Sequence, residues 1–263
     1  MLLSGKTALL TGATGGIGQA VARRLHRAGA QLILTGRRTE VLQPLADELG
    51  AQSLAVDLAD RGAVADLAKE CADVDVLVAN AALPASGLLT SFSEEEIDRA
   101  LDVNLRAPVV LARALGQRMA ERRSGHLVFV SSLSGKTGTS GTSMYSATKF
   151  GLRGFGQGLR GDMSPHGVGV SVVFPGFVSD AGMFADTKVE LPRGVGTSTP
   201  EEVADAIALA IERNRGEVDV APLPMRLGAA FAGLAPEVSA KVARRAGSAD
   251  VAGRMAAEQR TKR

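Results

Sequence analysis

Tyr145 and Lys149 stand four positions apart, and Ser132 precedes the tyrosine by thirteen. Residues i and i+4 of a helix share a face, so this spacing lets a phenol and an ammonium reach one small volume. A free tyrosine titrates near pH ~10, too high for ready proton exchange at neutrality, whereas a neighbouring cation favours the phenolate and lowers that value. The trio therefore reads as an acid/base site: the phenol trades a proton, and the serine hydroxyl donates to an oxygen on which charge develops. Tyr145 is the only tyrosine in the chain and tryptophan is absent, which argues against generic packing.

These side chains need a scaffold. Apolar runs recur at Thr7 to Leu10, Leu32 to Leu34, Ser53 to Val56, Val74 to Val78, Leu127 to Val130 and Val168 to Phe174. Most are continuous rather than alternating, as in strands covered on both faces of a parallel sheet. Ser132 closes one such run at its carboxyl end. Helical periodicity fills the intervals, for instance Ile17 to Ala28 and Val41 to Leu49, and a continuous helix is expected over 101–116. A last helix is predicted over Pro200 to Arg213, with Thr199 as its cap, followed by a seventh short strand, Glu217 to Ala221. The implied fold is α/β: a doubly wound Rossmann-type parallel sheet of about seven strands, flanked by helices on both faces. All of 1–263 reads as one domain, with a basic C-terminal extension from about 222. The segment 177–199 breaks the rhythm beyond a strand's carboxyl end and reads as a substrate lid, with Leu133, Met183, Phe184 and Leu191 as apolar lining.

Residues 11–18, TGATGGIG, follow a strand and open a helix, the context in which a glycine string becomes a phosphate site. Gly12, Gly16 and Gly18 remove side chains where the backbone must turn and approach a pyrophosphate, and N–H groups at the helix start face the anion. The spacing differs from G-x-G-x-x-G and meets a variant of it. After the second strand come Gly36, Arg37 and Arg38 in place of a ribose-binding acid. Arg37 offers a permanently charged fork to a 2′-phosphate, so NADP is favoured over NAD.

In these motifs the sequence resembles a short-chain dehydrogenase/reductase over roughly residues 5 to 221. The glycines at 12, 16 and 18, then Asp57, Asn80, Asn104, Ser132, Tyr145 with Lys149, and Pro175 with Gly176 occur in that family's order. The resemblance implies hydride transfer between NADP(H) and a carbonyl or alcohol. Catalysis would rest on Asn104, Ser132, Tyr145 and Lys149, with Lys149 also holding the nicotinamide ribose. Cofactor contacts would come from Gly12, Thr14, Gly16, Ile17, Gly18, Arg37, Asp57, Leu58, Asn80, Tyr145, Lys149, Pro175, Gly176 and Val178. Two departures stand out. The family's NNAG segment reads Ala79, Asn80, Ala81, Ala82, leaving Asn80 alone to hold the neighbouring backbone, and Asp180 stands where many relatives have Thr. In a helix the donor to the Asn104 carbonyl would be residue 108, but Pro108 has no N–H. That carbonyl is free to hold the water that similar enzymes use as a proton path, or the helix simply kinks there.

Composition narrows the partners. Aromatics at 3% make a base-stacking surface hard to build, so nucleic acid is not expected. Cys71 alone excludes an internal disulfide and fits a reducing compartment, while His26, His126 and His166 are scattered and imply no metal. With no secretory signal or membrane span apparent, a cytoplasmic protein is expected. Ala147, Gly151, Gly154 and Gly158 stripe the tyrosine helix at a cost of about 1 kcal/mol per glycine, which implies close packing; the family resemblance implies a neighbouring subunit there, in a homodimer or homotetramer, with a partner within the chain as the alternative. Residues 241–263 carry seven Lys/Arg against two acids, within a chain of net charge +2. Rival readings are a dinucleotide-binding sensor or scaffold without chemistry, a sugar-nucleotide epimerase or dehydratase, and a peripheral membrane reductase of lipid-like ketones. The last would use Leu227 to Ala235 and the basic tail as its membrane contact, a stretch that otherwise reads as a helix packed on the body or on another subunit.

Overall fold

A computed structural model describes residues 1–180, 196–245, 253–254 and 257–258. Strand and helix alternate as β1 (Thr7–Leu10), α1 (Gly16–Arg27), β2 (Gln31–Gly36), α2 (Thr39–Leu49), β3 (Gln52–Ala55), α3 (Arg61–Glu70) and β4 (Val76–Ala79). The second half continues with α4 (Glu94–Leu101), α5 (Ala107–Glu121), β5 (Gly125–Val130), α6 (Ser143–Met163), β6 (Val168–Pro175), α7 (Pro200–Glu212), β7 (Glu217–Val220), α8 (Leu223–Leu234) and α9 (Pro236–Arg245). The strands form one parallel sheet in the order β3-β2-β1-β4-β5-β6-β7. The chain winds outward from β1 to β3, then returns to β4 beside β1. That reversal opens a crevice beyond the carboxyl ends of β1 and β4, where doubly wound sheets bind ligands.

The continuous apolar runs are explained by two cores, one on each face of the sheet. Successive strand side chains point to opposite faces. Ala8, Leu10, Val76, Val78, Val128 and Val130 meet Val21 and Leu25 of α1, Leu42 of α2 and Ile207 of α7. Their neighbours Leu9, Leu77, Leu127 and Phe129 meet Val64 of α3, Leu111 and Leu115 of α5 and Leu152 of α6. Cys71 is buried at the end of α3, and burial pushes its thiol up to about 11, so it packs as a small hydrophobe.

Two expectations are corrected. Residues 101–116 are not one continuous α-helix: Asp102–Arg106 form a π-turn in which the Ala107 N–H donates to the Asp102 carbonyl, and right-handed helical backbone runs on through Arg106 and Ala107 into α5. Pro108 lacks the N–H that would continue the ladder, and the π-turn falls just before it. The capping box of Thr199 with Glu202 is present, but α7 is not the last helix. α8 escapes periodicity because the face it buries consists of Met225, Ala229 and Ala232, while Gly228 and Gly233 interrupt its pattern.

Candidate active site

Between β1 and α1 the backbone is drawn against the end of β4. Gly12 has φ +68°, and a Cβ there would lie 2.7 Å from the Ala81 Cα. A Cβ on Gly18 would collide with the Gly12 carbonyl oxygen, so only glycine permits this tight turn. Asn80 fastens the turn to β4: its Nδ2 donates to the carbonyls of Thr11 (3.1 Å) and Gly12 (3.2 Å). Thr11 returns the contact, its Oγ1 accepting the N–H groups of Asn80 and Ala81, both at 3.1 Å. The single Asn of the altered segment thus holds the neighbouring backbone, with Thr11 as a partner that the sequence reading left out.

α1 begins without a side-chain cap. Asp60 caps α3, Ser93 caps α4 and Thr199 caps α7, but Gly15 ahead of α1 offers no side chain, and no acid stands in its first turn. Gly16, Ile17 and Gly18 thus bring backbone N–H groups and the positive end of the helix dipole to the crevice, a fit for a diphosphate. Thr14 is buried, and its carbonyl accepts from Arg38 at 2.6 Å and from Gln19 at 3.4 Å.

At the end of β2, a Cβ on Gly36 would lie 2.6 Å from Thr14 Cγ2, so the last residue of that strand has no room for a carboxylate. Arg37 and Arg38 follow, both exposed. Beyond β3, Leu58 is buried, and Asp57 accepts from the Ala59 N–H (3.0 Å) and from Arg99 of α4 (2.9 Å). Burial opposes ionisation of Asp57, but these bonds and the charges of Arg99 and Arg37 outweigh it and lower the carboxyl's pKa. Arg99 is distant in sequence and carries no motif, so only the fold reveals it.

Ser132, Tyr145 and Lys149 converge at the carboxyl end of β5. Ser132 stands beside the Tyr145 phenol, and its Oγ accepts the Ser134 N–H at 3.1 Å. Lys149 is buried, with Nζ 5.5 Å from the Tyr145 ring centroid and donating to the Val130 carbonyl at 2.9 Å. Ser131, not singled out beforehand, ties its hydroxyl to the Lys149 carbonyl at 2.9 Å and so locks α6 to β5. Gly135 allows this approach, since a Cβ there would sit 2.7 Å from the same carbonyl.

The electrostatics differ from the spacing argument. Burial pushes the half-buried Tyr145 phenol up to about 12, with the Ser132 hydrogen bond pulling the other way, and pushes the Lys149 ammonium down to about 8. The cation faces Val130, and desolvation governs both groups. The protein alone therefore keeps the phenol protonated at neutral pH, the form that can donate.

Asn104 is fully buried in the π-turn, where its Oδ1 accepts the Leu83 N–H (2.6 Å) and its Nδ2 donates to the Leu83 carbonyl (2.9 Å). Two residues on, the Ala85 carbonyl accepts the Tyr145 N–H at 3.1 Å. Asn104 thus fixes the strand-end segment against which the start of α6 is anchored.

Pro175 ends β6, and the Gly176 N–H donates to Val220 of β7. Val178 is buried and bridges Ser198, with N–H groups of Ser179 and Ser198 donating across at 2.9 Å, so the two sides of the expected lid are pinned together at its neck. Asp180 is exposed, with φ +61°. Met183, Phe184 and Leu191 lie outside the described residues, and Leu133 is buried in the core near Gly176. On α6, a Cβ on Gly151 would lie 3.0 Å from Leu105 of the same chain, whereas Gly154 and Gly158 face open space.

A family model described as short chain dehydrogenase matches residues 6–191. The ketoacyl reductase HetN of Nostoc sp. is 36% identical over 232 residues, covering 85% of this chain and 81% of that protein. The 3-oxoacyl-acyl-carrier-protein reductase FabG of Rickettsia conorii is 34% identical over 215 residues, covering 78% and 89% respectively. Among solved structures, a short-chain dehydrogenase from Sphingobium yanoikuyae in complex with NADPH superposes with a TM-score of 0.78 at 27% identity, covering 89% of this chain and 95% of the other. With the glycine turn and the serine, tyrosine and lysine brought to one crevice, these likenesses make the chain a member of the short-chain dehydrogenase family of oxidoreductases.

Proposed function

We propose that this protein reduces the carbonyl of a ketone, aldehyde or 3-oxoacyl compound with NADPH, and that it runs the same proton transfers backwards on the alcohol. The carrying observation is the convergence of Ser132 and Tyr145 with the buried Lys149, whose Nζ lies 5.5 Å from the Tyr145 ring centroid, beside the glycine cradle. When bound, NADPH would supply the hydride from its nicotinamide. Ser132 and Tyr145 each offer one O–H, and a substrate oxygen held beside them would accept from both. As that oxygen gains charge, the protonated phenol releases its proton to it, and the Lys149 ammonium lowers the cost of the resulting phenolate. Asn104 acts on the site through Leu83 rather than by direct contact.

The preference for NADPH is supported by the missing side chain at Gly36 and by two exposed cations, Arg37 and Arg38, at the end of β2. The diphosphate is assigned to Gly12, Thr14, Gly16, Ile17 and Gly18, the adenine side to Asp57, Leu58 and Asn80, and the nicotinamide side to Tyr145, Lys149, Pro175, Gly176 and Val178. The ketoacyl reductase names of the relatives support an acyl-chain carbonyl as the first substrate to try. The open glycines at 154 and 158 support a homodimer or homotetramer built through α6.

The test follows NADPH oxidation against ketones, aldehydes and 3-oxoacyl thioesters with the wild type and Tyr145→Phe. Turnover is expected to fall at least about 10³-fold in the variant, while NADPH titrated by fluorescence binds nearly as before and more tightly than NADH. A variant that keeps most of its turnover removes the assigned role of the phenol.

A further inference from the structure

We infer that α8 and the start of α9 form a docking face for an anionic lipid surface. The amphipathic pattern of α8 is inverted. Met225, Ala229 and Ala232 turn inward, Ala229 and Ala232 being buried and Met225 packing on the core. The large side chains point the other way: Leu223 is 62% exposed, Leu227 61%, Phe231 48% and Leu234 87%. At 3.6 residues per turn, these four fall within about 80° of arc, opposite the buried face. Val238 of α9, 52% exposed, adds to the series. Of the ten large apolar side chains exposed among the described residues, half belong to this one hairpin of helices. A helix that hides alanines and offers leucines and a phenylalanine is built to be covered by something apolar.

Charge selects the cover. α8 contains no acid and carries the exposed Arg226, and α9 has Glu237 as its one acid before the exposed Lys241. From 241 onward the sequence holds seven Lys/Arg against Asp250 and Glu258, a surplus of five, whereas the remaining residues sum to −3. An apolar stripe flanked by positive charge suits an interface with acyl chains below and anionic headgroups around it. No described helix is long and apolar enough to cross a membrane, so the contact is peripheral. Such a face would bring the crevice to carbonyl compounds dissolved in lipid.

The experiment is co-sedimentation of the full chain with vesicles of phosphatidylcholine alone and of phosphatidylcholine mixed with phosphatidylglycerol. Binding is expected to the anionic vesicles and to weaken at high salt. Leu227→Asp combined with Phe231→Asp should reduce it at least about tenfold, with NADPH binding unchanged. Arg226→Gln combined with Lys241→Gln, which leaves the apolar face intact and serves if the first variant does not fold, should weaken it by about fivefold per charge removed. No binding by the wild type overturns the inference, as does binding that both double variants retain. A sedimentation-velocity experiment in which the first variant converts a larger species to a smaller one also overturns it, because a second copy of the chain then covers the face.

Discussion

The two ends of the sheet use polar residues in opposite ways. At the amino end they are spent on one another: Asp75 accepts from Lys6 at 3.2 Å and from the Thr7 N–H at 3.1 Å. His126 there bonds Ser171 at 2.8 Å, and Ser171 donates in turn to the Arg215 carbonyl at 2.6 Å. At the carboxyl end the groups are held but not used up. α1 has no side-chain cap, and the Ser132 and Tyr145 hydroxyls still have capacity for another oxygen. His126 and Lys149 sharpen the contrast, since burial lowers the pKa of both, yet one sits in a closed network and the other in the crevice. One end of the strands is devoted to stability and the other to chemistry.

If that division holds, changes at the amino end should move stability and leave turnover alone, and changes at the carboxyl end should do the reverse. The largest effect is expected from acid. Burial, helped by the positive N-terminus and Arg160, pushes His126 from 6.5 down to about 3, so the unfolded chain takes up its proton first as pH falls. Stability intact above about 6.5 is lost on the way to about 3, by up to about 5 kcal/mol. Denaturant melts across that range should show this loss in the wild type and much less of it in His126→Gln. At the other end, Ser132→Ala should reduce kcat/KM by about 10²- to 10³-fold at an unchanged melting temperature; a variant that melts early but still turns over would erase the distinction. Lys149 gives a smaller effect: with its amine lowered to about 8, reduction should fall by about tenfold per pH unit above that value, and a flat alkaline profile would show that its charge is not required. Smallest is Asp75→Asn, which should cost about 1 kcal/mol, read as a drop of a few degrees in Tm, with kcat unaltered.

Much of the scaffold was legible because two cores demand continuous apolar strands, and that demand writes itself into local sequence. The glycine turn was legible for a similar reason, since backbone contact there leaves no alternative to glycine at positions 12 and 18. What escaped was tertiary. Arg99 reaches Asp57 across 42 residues, and Thr11 and Ser131 act by meeting backbone that no spacing brings near them. The acidity of Tyr145 escaped too, because desolvation depends on everything packed around a group and not on the residue one turn away. Pro108 was visible as a break in the helical ladder, but that the break takes the form of a π-turn is decided by the surrounding packing.

The contact between Gly36 and Thr14 bears on how cofactor preference could change. An acid at 36 could not be accommodated by itself, because the methyl of a stiff, buried threonine already occupies the space its Cβ would need. On the proposed reading, any path toward NAD through that position must first shrink residue 14, which stands in the glycine turn. The preference would then be guarded by a pair of residues, and a library that varies one position at a time would walk past the route across.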